Sequence, residues 1–386
     1  MFNINTLNKI SPAGLDNFDR NKYAWGEGLE NADAIMVRSA SMHDMDFEPS
    51  LKAIARAGAG VNNIPLEKCS EEGIVVFNTP GANANAVKEM VLLGLLMSSR
   101  KIPASIDWVK TLKGQGEEVT KLVEKGKSQF VGPEIMGKKL GVIGLGAIGV
   151  LVANAAAGLG MTVYGYDPYI SVDAAWGLSQ STIHANSLKE IYENCDYITL
   201  HVPCNKETKG MINSSSISMM KNGVRILNFA RGELVETNDI LAALTEKQVK
   251  MYVTDFPTDD MLDNQSIIAF PHLGASTPES EDNCARMAAV ELINFLETGN
   301  IKNSVNMPEA ILPRGGDVRI CVIHKNIKTM VSQVTAGVSE ANIENMLNRS
   351  RGDYAYTMLD LIGNVDEAVI DKLRAVDGII DIRVIK

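Results

Sequence analysis

Apolar and polar positions along the chain fall into two periods, short apolar runs of strand length and longer stretches with helical spacing. The clearest case is the segment from Lys139 to Asp167, KLGVIGLGAIGVLVANAAAGLGMTVYGYD. Leu140 to Ile143 is short, apolar and rich in β-branched residues, which predicts a parallel strand buried on both faces. Val150 to Leu159 is apolar and alanine-rich and predicts a helix packed beneath that strand, and Met161 to Tyr166 predicts a second strand. Beyond Asp167 the alternation continues. Ser187 to Tyr192 reads as a helix, Tyr197 to Val202 and Val224 to Phe229 as strands, and Thr237 to Leu244 as a helix with Thr237 or Asn238 as its cap. Met251 to Thr254 and Ser266 to Phe270 are two more strands, and Glu279 to Glu297 is a long helix closing at Gly299. These elements fit one doubly wound domain over roughly residues 98–280.

The flanking regions read differently. Residues 1 to about 95 alternate strand-like and helix-like pieces: a strand at Ala34 to Val37, a helical pattern around Leu51 to Arg56, and a strand at Ile74 to Phe77, which suggests a small parallel α/β unit. The spacing of Val87, Met90, Val91, Leu95 and Leu96 predicts one long helix leaving that unit over Ala84 to Ser99. Residues 101–137 are polar and rich in Lys and Gly, with Gly132-Pro133 and Gly137 as turn signals, and read as a connection. Beyond Asn303, Pro308 and Pro313-Arg314-Gly315-Gly316 mark a linker. After it come a strand (Val318 to Ile323), a helix (Lys328 to Glu340), a strand pair (Ile343 to Arg349 and Ala355 to Leu361), a helix (Val365 to Ala375) and a strand (Ile379 to Ile385). The order βαββαβ is that of a ferredoxin-like module. The expected fold is therefore α/β, a Rossmann-type doubly wound nucleotide-binding domain (98–280) inserted in a flavodoxin-like substrate domain (1–97 and 281–303). A linker (304–316) and a ferredoxin-like C-terminal domain (317–386) follow.

Composition narrows the function. A net charge of -10 over 386 residues argues against nucleic acid or anionic membrane as the main partner, so any basic site is a local pocket. Cys69, Cys195, Cys204, Cys284 and Cys321 have no C-x-x-C spacing and are odd in number, which predicts reduced thiols in a cytosolic protein. The first residues lack the basic and apolar regions of a secretory signal, and Met90 to Met97 is too short for a membrane span. A cytoplasmic protein with a small-molecule substrate is expected, with no metal site.

Chemistry enters at the glycine loop. Gly144, Gly146 and Gly149 stand as G-x-G-x-x-G between a strand and a helix: one for the tight turn, one for close approach to a pyrophosphate, one for helix–strand packing. Asp167 lies 18 residues past Gly149 at the end of the next strand, where a carboxylate accepts hydrogen bonds from the ribose hydroxyls and repels a 2′-phosphate. The cofactor expected is NAD. Arg231, Asp255, Asp260 and His272 fall at or just past strand ends, where a nicotinamide would lie. Of five histidines, His43, His184, His201, His272 and His324, His272 sits in the turn between a strand and a helix and is suited to take a hydroxyl proton near neutral pH. Arg231 can clamp a carboxylate at two points, and Asp259 or Asp260 can stabilise the imidazolium. In the first unit Arg38 with Ser39, the Gly58-Ala59-Gly60 loop and the turn through Asn83 follow strands and are candidate substrate contacts.

These motifs resemble those of the D-isomer-specific 2-hydroxyacid dehydrogenase family. The match rests on Val142 to Gly149, on Asn228-Phe229-Ala230-Arg231-Gly232-Glu233-Leu234-Val235, on Pro271-His272-Leu273-Gly274-Ala275-Ser276-Thr277, and on the Arg-Ser and Gly-Ala-Gly loops. By resemblance Arg231 binds the substrate carboxylate and 2-oxygen and His272 is the acid/base. The family's glutamate partner of that histidine falls on Asp260, a side chain one methylene shorter. Gly144, Gly146, Ala147, Ile148 and Gly149 then hold the pyrophosphate and Asp167 the ribose. Ala230 and Asp255 reach the nicotinamide amide or its ribose, with His201, Val202, Pro203, Phe229, Gly274 and Ala275 completing the cofactor contacts. Arg38, Ser39, Gly60 and Asn83 match positions that hold the substrate carboxylate and phosphate. The C-terminal module resembles an ACT domain, which implies an amino-acid effector such as serine, although the loop Ile323 to Thr329 lacks the usual Pro-Gly. A homodimer or homotetramer is implied as well. The activity implied is NAD-dependent oxidation of 3-phosphoglycerate to 3-phosphohydroxypyruvate, the first step of L-serine biosynthesis. Reduction of hydroxypyruvate or glyoxylate, and a non-catalytic NAD-sensing role of the co-repressor type, are the competing readings.

Overall fold

Residues 34–37 are apolar at every position and buried at every position, which happens in a sheet only when both faces are covered. They form the middle of a wholly parallel sheet made of β1 (Phe2–Leu7), β2 (Tyr23–Gly26), β3 (Ala34–Val37), β4 (Ala53–Arg56) and β5 (Val75–Phe77), in the order β2-β1-β3-β4-β5. That order is the flavodoxin-like one. Because side chains alternate along a strand, Ala34, Met36, Ala53, Ala55, Val75 and Phe77 face one way, against Ala285, Ala288, Leu292 and Phe295 of the helix Pro278–Thr298. Ile35, Val37, Ile54 and Val76 face the other, against Ile64 and Cys69. The segment around Leu51 to Arg56 is thus a strand, and the expectation of a helix there is corrected. Its Ala, Lys and Arg residues favour helix intrinsically, but short side chains at 53 and 55 are what the covering helix needs for close packing. β1 and β2 are elements that the sequence pattern did not resolve.

The second sheet has seven parallel strands: β6 (Lys139–Ile143), β7 (Thr162–Tyr166), β8 (Ile183–His184), β9 (Tyr197–Leu200), β10 (Val224–Asn228), β11 (Val249–Thr254) and β12 (Ile267–Ala269). Their order, β12-β11-β10-β9-β6-β7-β8, reverses between β6 and β9, as in a doubly wound Rossmann sheet with its ligand crevice at that switch point. Residues 101–137, expected as a plain connection, contain the helices Ile102–Lys110 and Val119–Gly126. The helix Thr237–Thr245 starts after Glu236 and has no side-chain cap, so neither Thr237 nor Asn238 caps it.

The C-terminal segment forms an antiparallel sheet of β13 (Val318–Lys325), β14 (Asn342–Arg351), β15 (Tyr354–Ile362) and β16 (Ile379–Ile385), ordered β14-β15-β13-β16. The helices Met330–Gly337 and Glu367–Arg374 cover Ile320, Val322, Leu359 and Leu361 on one face. The other face, with Cys321, Ile323, Tyr356 and Met358, shares a core with Phe77 and Phe295.

The computed structural model describes residues 1–386 and resolves into two units, Met1–Asn83 with Pro278–Lys386, and Ala84–Thr277. The helix Ala84–Arg100 belongs to the second unit, whereas the sequence reading left residues 84–97 with the first. The reason is packing: an added Cβ at its Gly94 would lie 3.1 to 3.2 Å from Leu227, Val253 and Phe229, so this helix lies directly on β10 and β11. The C-terminal sheet likewise groups with the first unit rather than standing apart behind a linker. All five cysteines are free, with only Cys204 exposed, and no helix is long and apolar enough to cross a membrane.

Candidate active site

β6 ends at Ile143 and the chain turns at Gly144, which has φ +93°, a left-handed conformation that suits glycine. A Cβ at Gly149 would lie 1.9 Å from the Gly144 carbonyl oxygen, so the close approach of the helix Ala147–Gly158 to its strand requires glycine there. At Gly146, the N-cap of that helix, nothing lies within 4 Å of where a Cβ would be. Open space therefore sits over the helix N-terminus, whose first N–H groups have no partners within the helix and whose dipole favours an anion. At the end of β7, Asp167 accepts hydrogen bonds from Leu145 N–H and Tyr169 N–H, both 2.8 Å. Each carboxylate oxygen keeps a lone pair for a ribose hydroxyl.

Two polar side chains near the carboxyl edge of the sheet, one buried and one half-buried, each keep a buried atom unsatisfied. Asp255, just past β11, is almost fully buried. Its Oδ2 accepts from Gly274 N–H at 3.3 Å, and its Oδ1 has no partner. Burial pushes this carboxyl up, against the charges of His272 and Arg231 and the Gly274 N–H, which pull it down. His201, just past β9, has Nε2 3.0 Å from Thr199 Oγ1, while its Nδ1 is shut off from water without a partner. Burial drives its ionisation down to about 3, so its imidazole is neutral. Buried polar atoms without partners are rare in folded proteins and point to a missing ligand. A cradle open at Gly146, a carboxylate at Asp167 and an unsatisfied acceptor at Asp255 are together a donor and acceptor set that fits a dinucleotide with a carboxamide at its far end.

Arg231 follows β10 and is exposed, with Nη1 donating to the Ala230 carbonyl at 2.6 Å. The loop that carries it is braced by Asn228, which is fully buried. Asn228 Nδ2 donates to the Arg231 carbonyl (2.8 Å) and its Oδ1 accepts from Ala230 N–H (3.1 Å). No role for Asn228 emerged from the sequence, though a polar residue ending an apolar strand was its signal. His272 lies exposed after β12 with its ring 4.7 Å from that of Phe256. Arg231 and His272 both lie near enough to Asp255 to act on its carboxyl. Asp259 and Asp260 lie exposed on the short turn Asp259–Met261, and no hydrogen bond joins either to His272. Phe229 and Gly274 are buried, Ala147 and Ile148 open the helix after the glycine loop, and Val202, Pro203, Ala230 and Ala275 lie on strand-end loops.

The first unit carries its own cluster. Arg38 Nη2 meets Glu281 Oε1 at 2.6 Å, and the Arg38 carbonyl accepts from Arg56 Nε at 3.1 Å. Ser39 N–H is held by Asn8 Oδ1 at 3.2 Å. The loop through Gly58 and Gly60 lies over the Arg56 guanidinium, with Nη1 3.8 Å from the place of a Gly60 Cβ, and Asn83 closes the segment half-buried. Arg56 was not singled out in the sequence. Its assignment to a helix hid the fact that it ends β4 beside Arg38.

The open N-terminus at Gly146, the Asp167 carboxylate and the unsatisfied Asp255 acceptor are the features of a dinucleotide-binding site. Residues 92–275 match the family model described as D-isomer specific 2-hydroxyacid dehydrogenase, NAD binding domain. This stretch is similar to the NAD-binding domain of the D-isomer specific 2-hydroxyacid dehydrogenases. The chain is 34% identical over 289 residues to D-3-phosphoglycerate dehydrogenase of Bacillus subtilis, covering 72% of this chain and 52% of that protein. It is 31% identical over 345 residues to D-3-phosphoglycerate dehydrogenase of Methanocaldococcus jannaschii, covering 87% and 63%. The chain thus spans about half the length of most of the curated relatives it matches. Among solved structures, an NAD+-bound 3-phosphoglycerate dehydrogenase of Entamoeba histolytica is similar, at 27% identity and TM-score 0.59, covering 79% of this chain and 98% of that one.

Proposed function

We propose that this protein catalyses the NAD-dependent oxidation of 3-phosphoglycerate to 3-phosphohydroxypyruvate, the entry step of L-serine synthesis. The observation that carries the reading is the gathering of Arg231 and His272 about the buried Asp255 at the carboxyl edge of a glycine-loop sheet. Its support from similarity is that relatives named D-3-phosphoglycerate dehydrogenase recur among bacteria, archaea and mammals. Bound NAD supplies the hydride acceptor. Arg231 holds the substrate carboxylate by its guanidinium and so orients C2. His272 accepts the C2 hydroxyl proton as the hydride leaves. Asp260 is assigned as the partner of the imidazolium by its spacing from Asp255 and Arg231 alone. Arg38, Ser39, Gly60 and Asn83 are assigned to the substrate's anionic groups.

The experiment is NADH consumption with phosphohydroxypyruvate, beside hydroxypyruvate and glyoxylate at equal concentration. A large preference for the phosphorylated acid is expected. Equal rates with the others would make the protein a general 2-hydroxyacid dehydrogenase. No turnover of any of them despite NADH binding would favour the sensing role. His272→Ala is expected to lower kcat by about 10²- to 10⁴-fold while NADH affinity, read by fluorescence titration, stays nearly intact. Retained turnover would remove His272 from the reaction.

Two further parts of this reading concern assembly and regulation. Exposed Ile102, Ile106, Val109, Val131 and Met136 support self-association into a homodimer or homotetramer, which light scattering measures. An amino-acid effector at the C-terminal module is supported by its βαββαβ order alone. A rate unchanged at millimolar L-serine would remove serine as that effector.

A further inference from the structure

Arg38 stands exposed just past β3, and its guanidinium is already occupied. Glu281 Oε1 lies 2.6 Å from Nη2, with the two side chains 42% and 44% exposed. These residues are 243 positions apart, joined by the packing of the helix Pro278–Thr298 on the parallel sheet. We propose that Glu281 is a specificity-determining residue, an intramolecular counter-ion whose carboxylate takes the place of the substrate's terminal anion on Arg38 and must be displaced by it. This rests on the assignment of Arg38 to substrate made above.

Three observations shape the argument. The backbone at Arg38 is fixed, since its carbonyl accepts from Arg56 and the next two N–H groups are held by Asn8 Oδ1. Exchange of partners therefore needs only side-chain motion. The neighbouring acid, Asp282, is committed elsewhere, with Oδ1 2.5 Å from Ser11 Oγ, so Glu281 alone in that turn serves Arg38. Glu281 also lies in the first turn of a 21-residue helix, a position where acidic side chains complement the helix dipole. An ion pair this open to water is worth no more than about 1 kcal/mol, so a phosphate of nearly two charges displaces the single carboxylate. An uncharged hydroxyl in the same place leaves the pair intact, and a singly charged group gains little by exchanging with it. Glu281 thereby sets the affinity for a phosphorylated substrate and leaves an unphosphorylated one untouched.

The test is Glu281→Gln. Inorganic phosphate, titrated calorimetrically, is expected to bind about fivefold more tightly to this variant than to the parent. The KM for phosphohydroxypyruvate is expected to fall by a similar factor while that for hydroxypyruvate moves less than twofold. Arg38→Gln should abolish the phosphate heat in either background. Glu297→Gln removes an equal charge from a pair with Lys22 and Tyr23 and should leave phosphate binding unchanged. Phosphate affinity that is unchanged or weaker in Glu281→Gln overturns the proposal, as does equal tightening in Glu297→Gln. A parent enzyme that shows no preference for phosphorylated acids, alongside tighter phosphate binding in Glu281→Gln, would overturn the substrate reading and sustain the counter-ion.

Discussion

Buried polar groups occur in both the seven-stranded parallel sheet and the four-stranded antiparallel one, and the two regions treat them in opposite ways. In the antiparallel sheet, Arg319 and Asp360 are both fully buried. Arg319 Nε and Nη2 meet Asp360 Oδ1 and Oδ2 at 2.6 and 2.8 Å, and Gly315 N–H donates to Oδ2 at 2.9 Å. The rest of the guanidinium donates to the carbonyls of Thr298 (2.8 Å) and Pro313 (3.0 Å). At the edge of the parallel sheet, Asp255 and His201 each keep a buried atom with no partner. A saturated network holds chain to chain; here it fixes the end of the helix Pro278–Thr298 and the following segment onto the C-terminal sheet. An unsaturated one costs stability, a cost that a ligand completing it would offset. The difference separates structural polar burial from functional polar burial without reference to any motif.

The largest effect should come from the saturated side. Burial alone would push the Asp360 carboxyl up, but hydrogen bonds from Arg319 and the Gly315 N–H outweigh it and hold it below the ordinary range. Asp360→Ala strands a buried guanidinium and is expected to cost about 3–5 kcal/mol in urea denaturation. The double replacement Arg319→Met with Asp360→Leu should recover most of that loss, because no charge is then left buried. A single variant as stable as the parent would mean that the pair is not structural, and the contrast would fail on this side.

Glu291 tests whether an unsatisfied buried atom always marks a ligand. It lies on the helix Pro278–Thr298, with Oε1 accepting from Asn303 Nδ2 at 2.7 Å and Oε2 unpartnered. Burial drives its carboxyl up to about 8, against the Asn303 hydrogen bond and the Lys302 charge. A folded value above the unfolded one means that the folded protein binds the extra proton. The contribution to stability is complete below the ordinary glutamate range and is lost as pH rises through about 8. Between roughly pH 6 and pH 8 stability should fall by about 2 kcal/mol, and Glu291→Gln should flatten that slope. Here the unsatisfied group is an acid kept protonated, and the slope is its signature. An unchanged slope in the variant would assign the pH dependence elsewhere.

What was legible in the sequence divides along the same line. Gly144 and Gly149 were readable because each answers a local backbone demand, Gly146 because it leaves the space over the helix N-terminus open, and Asp167 because it follows the very next strand. The βαββαβ order was readable from periodicity. β4 was misread because the intrinsic preference of Ala53, Ala55 and Arg56 is overridden by a helix more than two hundred residues away, and with it the role of Arg56 was lost. The Glu281 pairing with Arg38 and the clamp of Arg319 on Asp360 depend on contacts that no local spacing encodes. Asp260 illustrates the converse: spacing proposes it as the partner of His272, yet its turn leaves it exposed and without a hydrogen bond to that ring.

The finest test of the contrast is Asp255→Asn. The amide is the same size, its oxygen can keep the Gly274 N–H, and it carries no charge to desolvate, so the penalty that pushes the Asp255 carboxyl up is absent. Stability should be unchanged or slightly raised, the opposite of what Asp360→Ala does. Cofactor affinity should move the other way. The unpaired Oδ1 is an acceptor, and the NH2 that replaces it is a donor, so a carboxamide N–H that bonded to Oδ1 would meet another N–H. Loss of one such bond to a charged group, about 1.5 kcal/mol, corresponds to roughly a tenfold weaker Kd for NADH. A variant that binds NADH as tightly as the parent would show that the empty acceptor serves no cofactor. A variant that loses several kcal/mol of stability would place Asp255 with Asp360 among the structural groups and erase the distinction between the two sheets.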